Sequence, residues 1–276
     1  MKKILLLLAV VTSGAAIVLG LDPGRLAFSY VDVGGHKLRM DISGHGDPVV
    51  VFEAGGGPAR GGPLESWERV QPAVSRFTTA VSYDRAGTGF SEAGPKPRDA
   101  RQVARELHAA LQNAHVAAPY VLVGHSFGGP MIRVFAGMYP GEVCGLVLID
   151  PTQEEFIKWN LAREANPEKR EDEEWKNILA SLDEAHESQL PPGIPVTLIT
   201  AMGPRVFPEF VSDKEKEDRR VQKQAWLRFH TEWLEKIPDA KHIVTQDSGH
   251  AVQLEEPELV IQAVREVVEK VKDKSP

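Results

Sequence analysis

Residues 120–129 read Tyr-Val-Leu-Val-Gly-His-Ser-Phe-Gly-Gly, and Pro130–Tyr139 then begins a helical pattern. An apolar run that ends in a serine boxed by glycines, with a helix behind it, demands a sharp strand-to-helix turn. Such a turn lifts the Ser126 side chain above the C-terminal edge of a sheet and strains its backbone. It can form only if the residues two before and two after the serine lack bulk. Gly124 and Gly128 supply that room, and Gly129 lets the helix approach closely. The helix N-terminus also aims backbone N–H groups at any oxyanion formed beside Ser126. A chain with this turn needs a buried strand inside a helix-covered sheet.

The rest of the sequence supplies that sheet. Short β-type runs alternate with helical ones, the signature of an α/β fold with a mostly parallel sheet. Eight strands are expected. Ala27–Val33 and Lys37–Ile42 form an opening hairpin, and Pro48–Glu53 runs straight into Gly55-Gly56-Gly57. Phe77–Tyr83, Tyr120–Val123, Gly145–Ile149, Pro195–Thr200 and Lys241–Gln246 complete the set. Arg98–Asn113 carries Val103, Leu107, Ala110 and Leu111 at helical spacing, and Pro257–Val271 is a closing amphipathic helix. Between the sixth and seventh strands, residues 151–194 are rich in Glu and Lys, with Phe156, Trp159 and Trp175 among their apolar anchors and as the residues expected to bind an apolar part of a substrate. That segment is too long for an ordinary connection and is expected to form a helical lid, the core being residues 22–150 and 195–276.

The first 21 residues stand apart. Two lysines, the apolar run Ile4–Val11 and the small residues Ser13-Gly14-Ala15 have the layout of a secretory signal peptide. The competing reading is an uncleaved membrane anchor, since Ile4–Leu21 carries no charge. Either way the body is expected to be exported, periplasmic or secreted, or tethered facing outward. The net charge of −7, with no basic stripe, argues against nucleic acid as a partner. The single cysteine, Cys144, permits no intrachain disulfide and sits at the start of an apolar run as an inert thiol. No metal is expected, because no H-E-x-x-H, H-x-H or cysteine cluster occurs, and Gly55–Gly57 lacks the following Gly-Lys-Ser/Thr of a nucleotide site. No cofactor is implied.

A serine hydroxyl is a weak nucleophile without a base, and histidine is the usual one. Of nine histidines, His36 and His45 lie at hairpin turns, His108 and His115 on or just after a helix, and His186 in the lid. His125 is tied into the turn itself and points away from Ser126. His250 is different: it follows the last strand through Asp247-Ser248-Gly249 and precedes the closing helix, so its loop can bring an imidazole over Ser126. The order serine before histidine fits this topology.

Taken together, VVVFEAGGG, SYDRAGTGFS, VLVGHSFGG, LVLIDPT and DSGHAVQLEEPELV make the body from Phe28 onward resemble the α/β-hydrolase superfamily. The likeness is to its serine esterase and lipase members with a helical lid after the sixth strand. The resemblance implies an oxyanion hole from two backbone amides, those of Phe127 and Gly56, although Ala54 stands where many relatives carry histidine. It implies structural pins at Asp84, Arg85 and Ser91. The commonest position for the third triad member, just after the seventh strand, holds no carboxylate here; Glu209 and Asp213 come later. Asp150, at the end of the sixth strand, is the alternative that some relatives use, and it would accept the second ring N–H of His250. Its place before Pro151-Thr152 also suits a helix cap, but Asp150 is the expected acid. The expected chemistry is hydrolysis of a small-molecule carboxylic ester through an acyl-enzyme. The alternatives are an aminopeptidase, a carbon–carbon bond hydrolase, or a non-catalytic binding protein. Serine instead of aspartate in the turn argues against epoxide hydrolase or dehalogenase chemistry.

Overall fold

The computed structural model describes residues 28–56, 66–163, 172–203 and 212–274. The segment read as signal peptide or anchor therefore lies outside the described residues, as does Glu209. Eight strands form one sheet: β1 (Ser29–Asp32), β2 (Lys37–Ser43), β3 (Val49–Glu53), β4 (Ala80–Tyr83), β5 (Tyr120–His125), β6 (Val143–Ile149), β7 (Val196–Ala201) and β8 (Lys241–Thr245). Their order across the sheet is β1-β2-β4-β3-β5-β6-β7-β8. The opening hairpin pairs antiparallel, within itself and with β4, and every later pairing is parallel.

The helices are α1 (Gln71–Val74), α2 (Ala100–Asn113), α3 (Gly128–Met138), α4 (Glu154–Leu161), α5 (Glu173–Glu187), α6 (Asp213–Leu234), α7 (Val252–Glu255) and α8 (Pro257–Lys274). Alternating strand residues feed two cores because successive side chains point to opposite faces. Val49, Val51, Leu122 and Leu146 join Val103, Leu107, Ile132 and Phe135 of α2 and α3. Val50, Phe52, Val121 and Val147 meet Trp67 and the stripe Val260, Val264, Val267 and Val268 of α8. Strands buried on both faces explain why the sequence shows unbroken apolar runs instead of alternation.

The parallel register does the positioning. Glu53 pairs with Gly124, His125 with Ile149, Ile149 with Ile199, and Ala201 with Thr245. The loops after β3, β5, β6 and β8 therefore leave the same edge of the sheet, carrying Gly56, Ser126, Asp150 and His250.

Helix α6 is the element the sequence pattern did not announce. It starts with a capping box, the Ser212 hydroxyl accepting from the Glu215 amide while the Glu215 carboxylate accepts from the Ser212 amide. In the connection between β6 and β7, α4 lies against α6, whereas α5 packs on α2 and α3. Among the described residues of the expected lid, α4 borders the loop edge and α5 does not. No helix among the described residues is long and apolar enough to cross a membrane.

Candidate active site

Ser126 sits at φ +52°, the left-handed region that a side chain rarely adopts. The turn is held by its own backbone: Ser126 N–H donates to Ile149 O at 3.0 Å, and Ser126 O accepts from Gly129 and Thr152 at 3.0 and 2.9 Å. The flanking glycines are steric necessities. A Cβ on Gly124 would lie 2.6 Å from Gly128 O, and one on Gly128 would lie 2.4 Å from Glu53 O.

His250 reaches Ser126 as the loop argument requires. Its Nε2 is 2.8 Å from Ser126 Oγ, and its Nδ1 is 2.6 Å from Asp150 Oδ2. Asp150 is 2% exposed. Its Oδ1 accepts from the Ala201 amide at 2.9 Å and from the Trp226 indole at 2.6 Å. Burial pushes the Asp150 carboxyl up, but the His250 hydrogen bond, the nearby imidazoles and the Trp226 donor more than offset it, and the group lies below the usual carboxylate range. An ionised Asp150 fixes the His250 proton on Nδ1, so Nε2 is an acceptor and the serine hydroxyl donates to it. That arrangement can draw a proton from Ser126 and stabilise the resulting imidazolium.

Asp150 does not cap the following helix. The cap of α4 is Gln153, whose side chain accepts from the Phe156 amide at 2.8 Å. Asp213 does not approach His250 either. It opens α6 with a side chain that is 98% exposed and pairs with Lys216 at 2.9 Å.

Gly56 and Phe127 lie side by side: a Cβ on Gly56 would be 3.3 Å from Phe127 Cβ, and one on Gly55 would be 3.2 Å from Ser126 Cβ. The glycine loop is pinned from behind by Arg85, which donates to Ala54 O at 2.7 Å and to Gly55 O at 2.5 Å and pairs with the buried Glu53. Because a trans peptide sets C=O and N–H in opposite directions, anchoring the Gly55 carbonyl turns the Gly56 N–H away from Arg85. Asp84 accepts from the Phe90 amide at 2.9 Å, and the Ser91 hydroxyl donates to Asp84 O at 2.6 Å. These contacts brace the turn that carries Arg85.

Three residues around the site carry weight that the motifs did not reveal. Trp226, from the unanticipated α6, donates to the buried carboxylate. His230 is fully buried on the same helix, donating from Nε2 to Pro151 O at 2.8 Å while its Nδ1 accepts from Thr200 Oγ1 at 2.8 Å. It therefore holds the residue next to Asp150. His125 accepts from Gln253 on Nδ1 at 3.2 Å and donates from Nε2 to the backbone oxygen of His250 at 2.8 Å. Burial, then the neighbouring His250, pushes His125 down to about 4, which keeps it neutral and fit for that paired role.

A cavity of about 510 Å³ opens over Ser126, bounded by the relay, α4 and α6. Of the aromatic residues expected to bind substrate, Phe156 lines it, packed edge-on against Trp226 with centroids 4.7 Å apart. Trp159 and Trp175 are not among the described lining residues. Trp159 packs against both Phe156 and Phe229, 5.7 and 6.3 Å between centroids, and Trp175 lies on α5, which packs on α2 and α3. A larger cavity of about 760 Å³ lies at the start of β7, near Trp233 and Pro238, and includes no member of the relay.

A family model described as the alpha/beta hydrolase fold matches residues 47–191. Among curated proteins, the uncharacterized protein YqjL of Bacillus subtilis is 25% identical over 224 residues, covering 79% of this chain and 83% of its own length. The pyrrolizixenacetamide deacetylase of Xenorhabdus hominickii is 29% identical over 119 residues, 43% of each chain. Among solved structures, a meta-cleavage product hydrolase (CumD) superposes with TM-score 0.62 at 18% identity, covering 88% of this chain and 98% of its own. A thermophilic esterase from Thermogutta terrifontis gives TM-score 0.57 at 20% identity over 90% and 98% of the two chains. The likeness of these structures is one of fold, and the family match rests on the sequence. The chain belongs to the alpha/beta hydrolase fold family.

Proposed function

We propose that this hydrolase cleaves carboxylic esters through an acyl-enzyme formed on Ser126. The observation that carries the reading is the unbroken relay from Ser126 Oγ through both ring nitrogens of His250 to a buried carboxylate, at 2.8 and 2.6 Å. In the first half-reaction the Ser126 proton passes to His250 Nε2 as Oγ bonds to the carbonyl carbon. The amides of Gly56 and Phe127 take the oxyanion, and His250 then returns the proton to the departing alkoxide. In the second half water replaces serine in the same steps, and the acid leaves. Removing one oxyanion donor typically costs about 10²–10³ in rate, which is why the Arg85 anchor behind the glycine loop matters.

Hydrolysis of p-nitrophenyl acetate and butyrate by wild type and Ser126→Ala tests the reading. Wild type should exceed the variant by at least about 10⁴-fold, the scale on which relay members act. Equal rates in the two proteins would overturn it.

A further inference from the structure

The cavity wall above Ser126 carries a cluster of basic side chains. The chain carries a net charge of −7. Lys216, Arg219, Arg220 and Lys223 nevertheless all line the cavity, and the one carboxylate among its described lining residues, Asp150, is turned to His250. The cations are not scattered. Positions 216, 219, 220, 223, 226 and 230 recur at three- and four-residue steps, which places them along one face of α6. The inner end of that face is fixed at the relay by Trp226 and His230. A helix rises about 1.5 Å per residue, so the stripe runs outward from Trp226 to Lys216 over about 15 Å. None of the acidic residues of α6 lines the cavity.

The side chains along the stripe differ in how they are held. Lys223 is fixed at the inner end, its ammonium donating to the carbonyls of Met202 and Gly203. Lys216 and Arg220 reach their helix neighbours Asp213 and Glu217 in pairs that are more than half exposed on the basic side. Pairs of that kind are weak, so a carboxylate entering the cavity can compete for them. Low-dielectric walls of one charge sign also raise the local concentration of oppositely charged solutes.

We propose that the ester accepted here carries a carboxylate remote from the scissile bond, bound by Lys216, Arg219 and Arg220 while the carbonyl sits on Ser126. The proposal rests on the ester-hydrolase reading and narrows its substrate class to half-esters of dicarboxylic acids and acylated hydroxy acids.

The test pairs each anionic ester with a neutral match. Monoethyl adipate against ethyl methyl adipate places the charge on the acyl side, and 4-acetoxybutanoate against its methyl ester places it on the alcohol side. In at least one pair kcat/KM should favour the anion by about tenfold, the sum of two or three exposed ion pairs. That ratio should shrink toward one at about 0.5 M salt. It should also collapse in a Lys216→Gln, Arg219→Gln, Arg220→Gln triple variant. Arg228→Gln, on another face of α6, should keep it. Calorimetry of the same pairs on Ser126→Ala measures binding without turnover, and the anion should again bind about tenfold more tightly. Cleavage and binding that ignore the charge, or a ratio unchanged in the triple variant, would overturn the anion site and leave the esterase reading standing. Absence of any Ser126-dependent cleavage would overturn the esterase reading, and the binding comparison would still decide the anion site.

Discussion

Replacing Asp150 by asparagine probes the relay at its most constrained atom. Oδ1 of Asp150 accepts from two donors, the Ala201 amide and the Trp226 indole, and neither can become an acceptor. An asparagine must keep its carbonyl oxygen on that side, so its NH2 group takes the place of Oδ2, 2.6 Å from His250 Nδ1. Two donors cannot face each other, and the ring proton is driven to Nε2, where it meets Ser126 Oγ. In that tautomer His250 has no lone pair for the serine proton. The volume and packing are unchanged, so the loss should fall on turnover: about 10⁴-fold, equivalent to about 5.5 kcal/mol of barrier. Steady-state hydrolysis of a short p-nitrophenyl ester measures it, with circular dichroism verifying that the variant is folded. Asp213→Asn, at an exposed site on α6, should retain full activity. The reasoning is refuted if Asp150→Asn stays within about tenfold of wild type, or if Asp213→Asn loses as much.

Two further outcomes follow from the groups around the relay. Trp226→Phe keeps the aromatic edge against Phe156 but removes one donor to a buried carboxylate, a bond worth about 1.5–3 kcal/mol. Its kcat should drop by about tenfold with KM nearly constant, and unchanged kinetics would show that the indole N–H is dispensable. His125 and His230 are both pushed down to about 4, chiefly by burial, from an ordinary value of 6.5. The unfolded chain therefore binds more protons than the folded one between these values, so the stability they confer is full above pH 6.5 and is lost as pH falls toward 4. The loss is roughly 3 kcal/mol for each. Urea unfolding at pH 7, 6 and 5 should show a steeper decline for wild type than for His230→Asn, and parallel curves would count against this account.

How much of this was legible depended on whether a residue's partner was near in sequence or far. The strands were readable because both their faces are buried, leaving apolar runs such as Val49–Phe52 and Leu146–Ile149 that few other structures require. Ser126 and its glycines were readable because the turn restricts its own residues. Helix α6 was not, since its first eight residues are all charged and Val221 is its one apolar residue before Ala225. The signal that could have found it is Ser212 followed three residues later by Glu215, the capping box itself. Trp226 could not be assigned from sequence, because its partner lies 76 residues away and the contact depends on where α6 docks. For Asp150 the sequence left cap and acid open. The intervening Pro151-Thr152 delays the helix, so the cap falls to Gln153 and the carboxylate is left for His250.

The hydrogen bond from His125 to the backbone of His250 has a mechanical meaning. Proton transfer depends steeply on the separation of Ser126 Oγ and His250 Nε2, and those atoms belong to loops 124 residues apart. The residue beside the serine nevertheless grips the main chain of the histidine, and Gln253 beyond it grips the same imidazole. Both partners are thereby referenced to one datum, the end of β5. The separation of Ser126 Oγ and His250 Nε2 is thus set by hydrogen bonds that converge on a single strand end, with no need for the two loops to touch elsewhere.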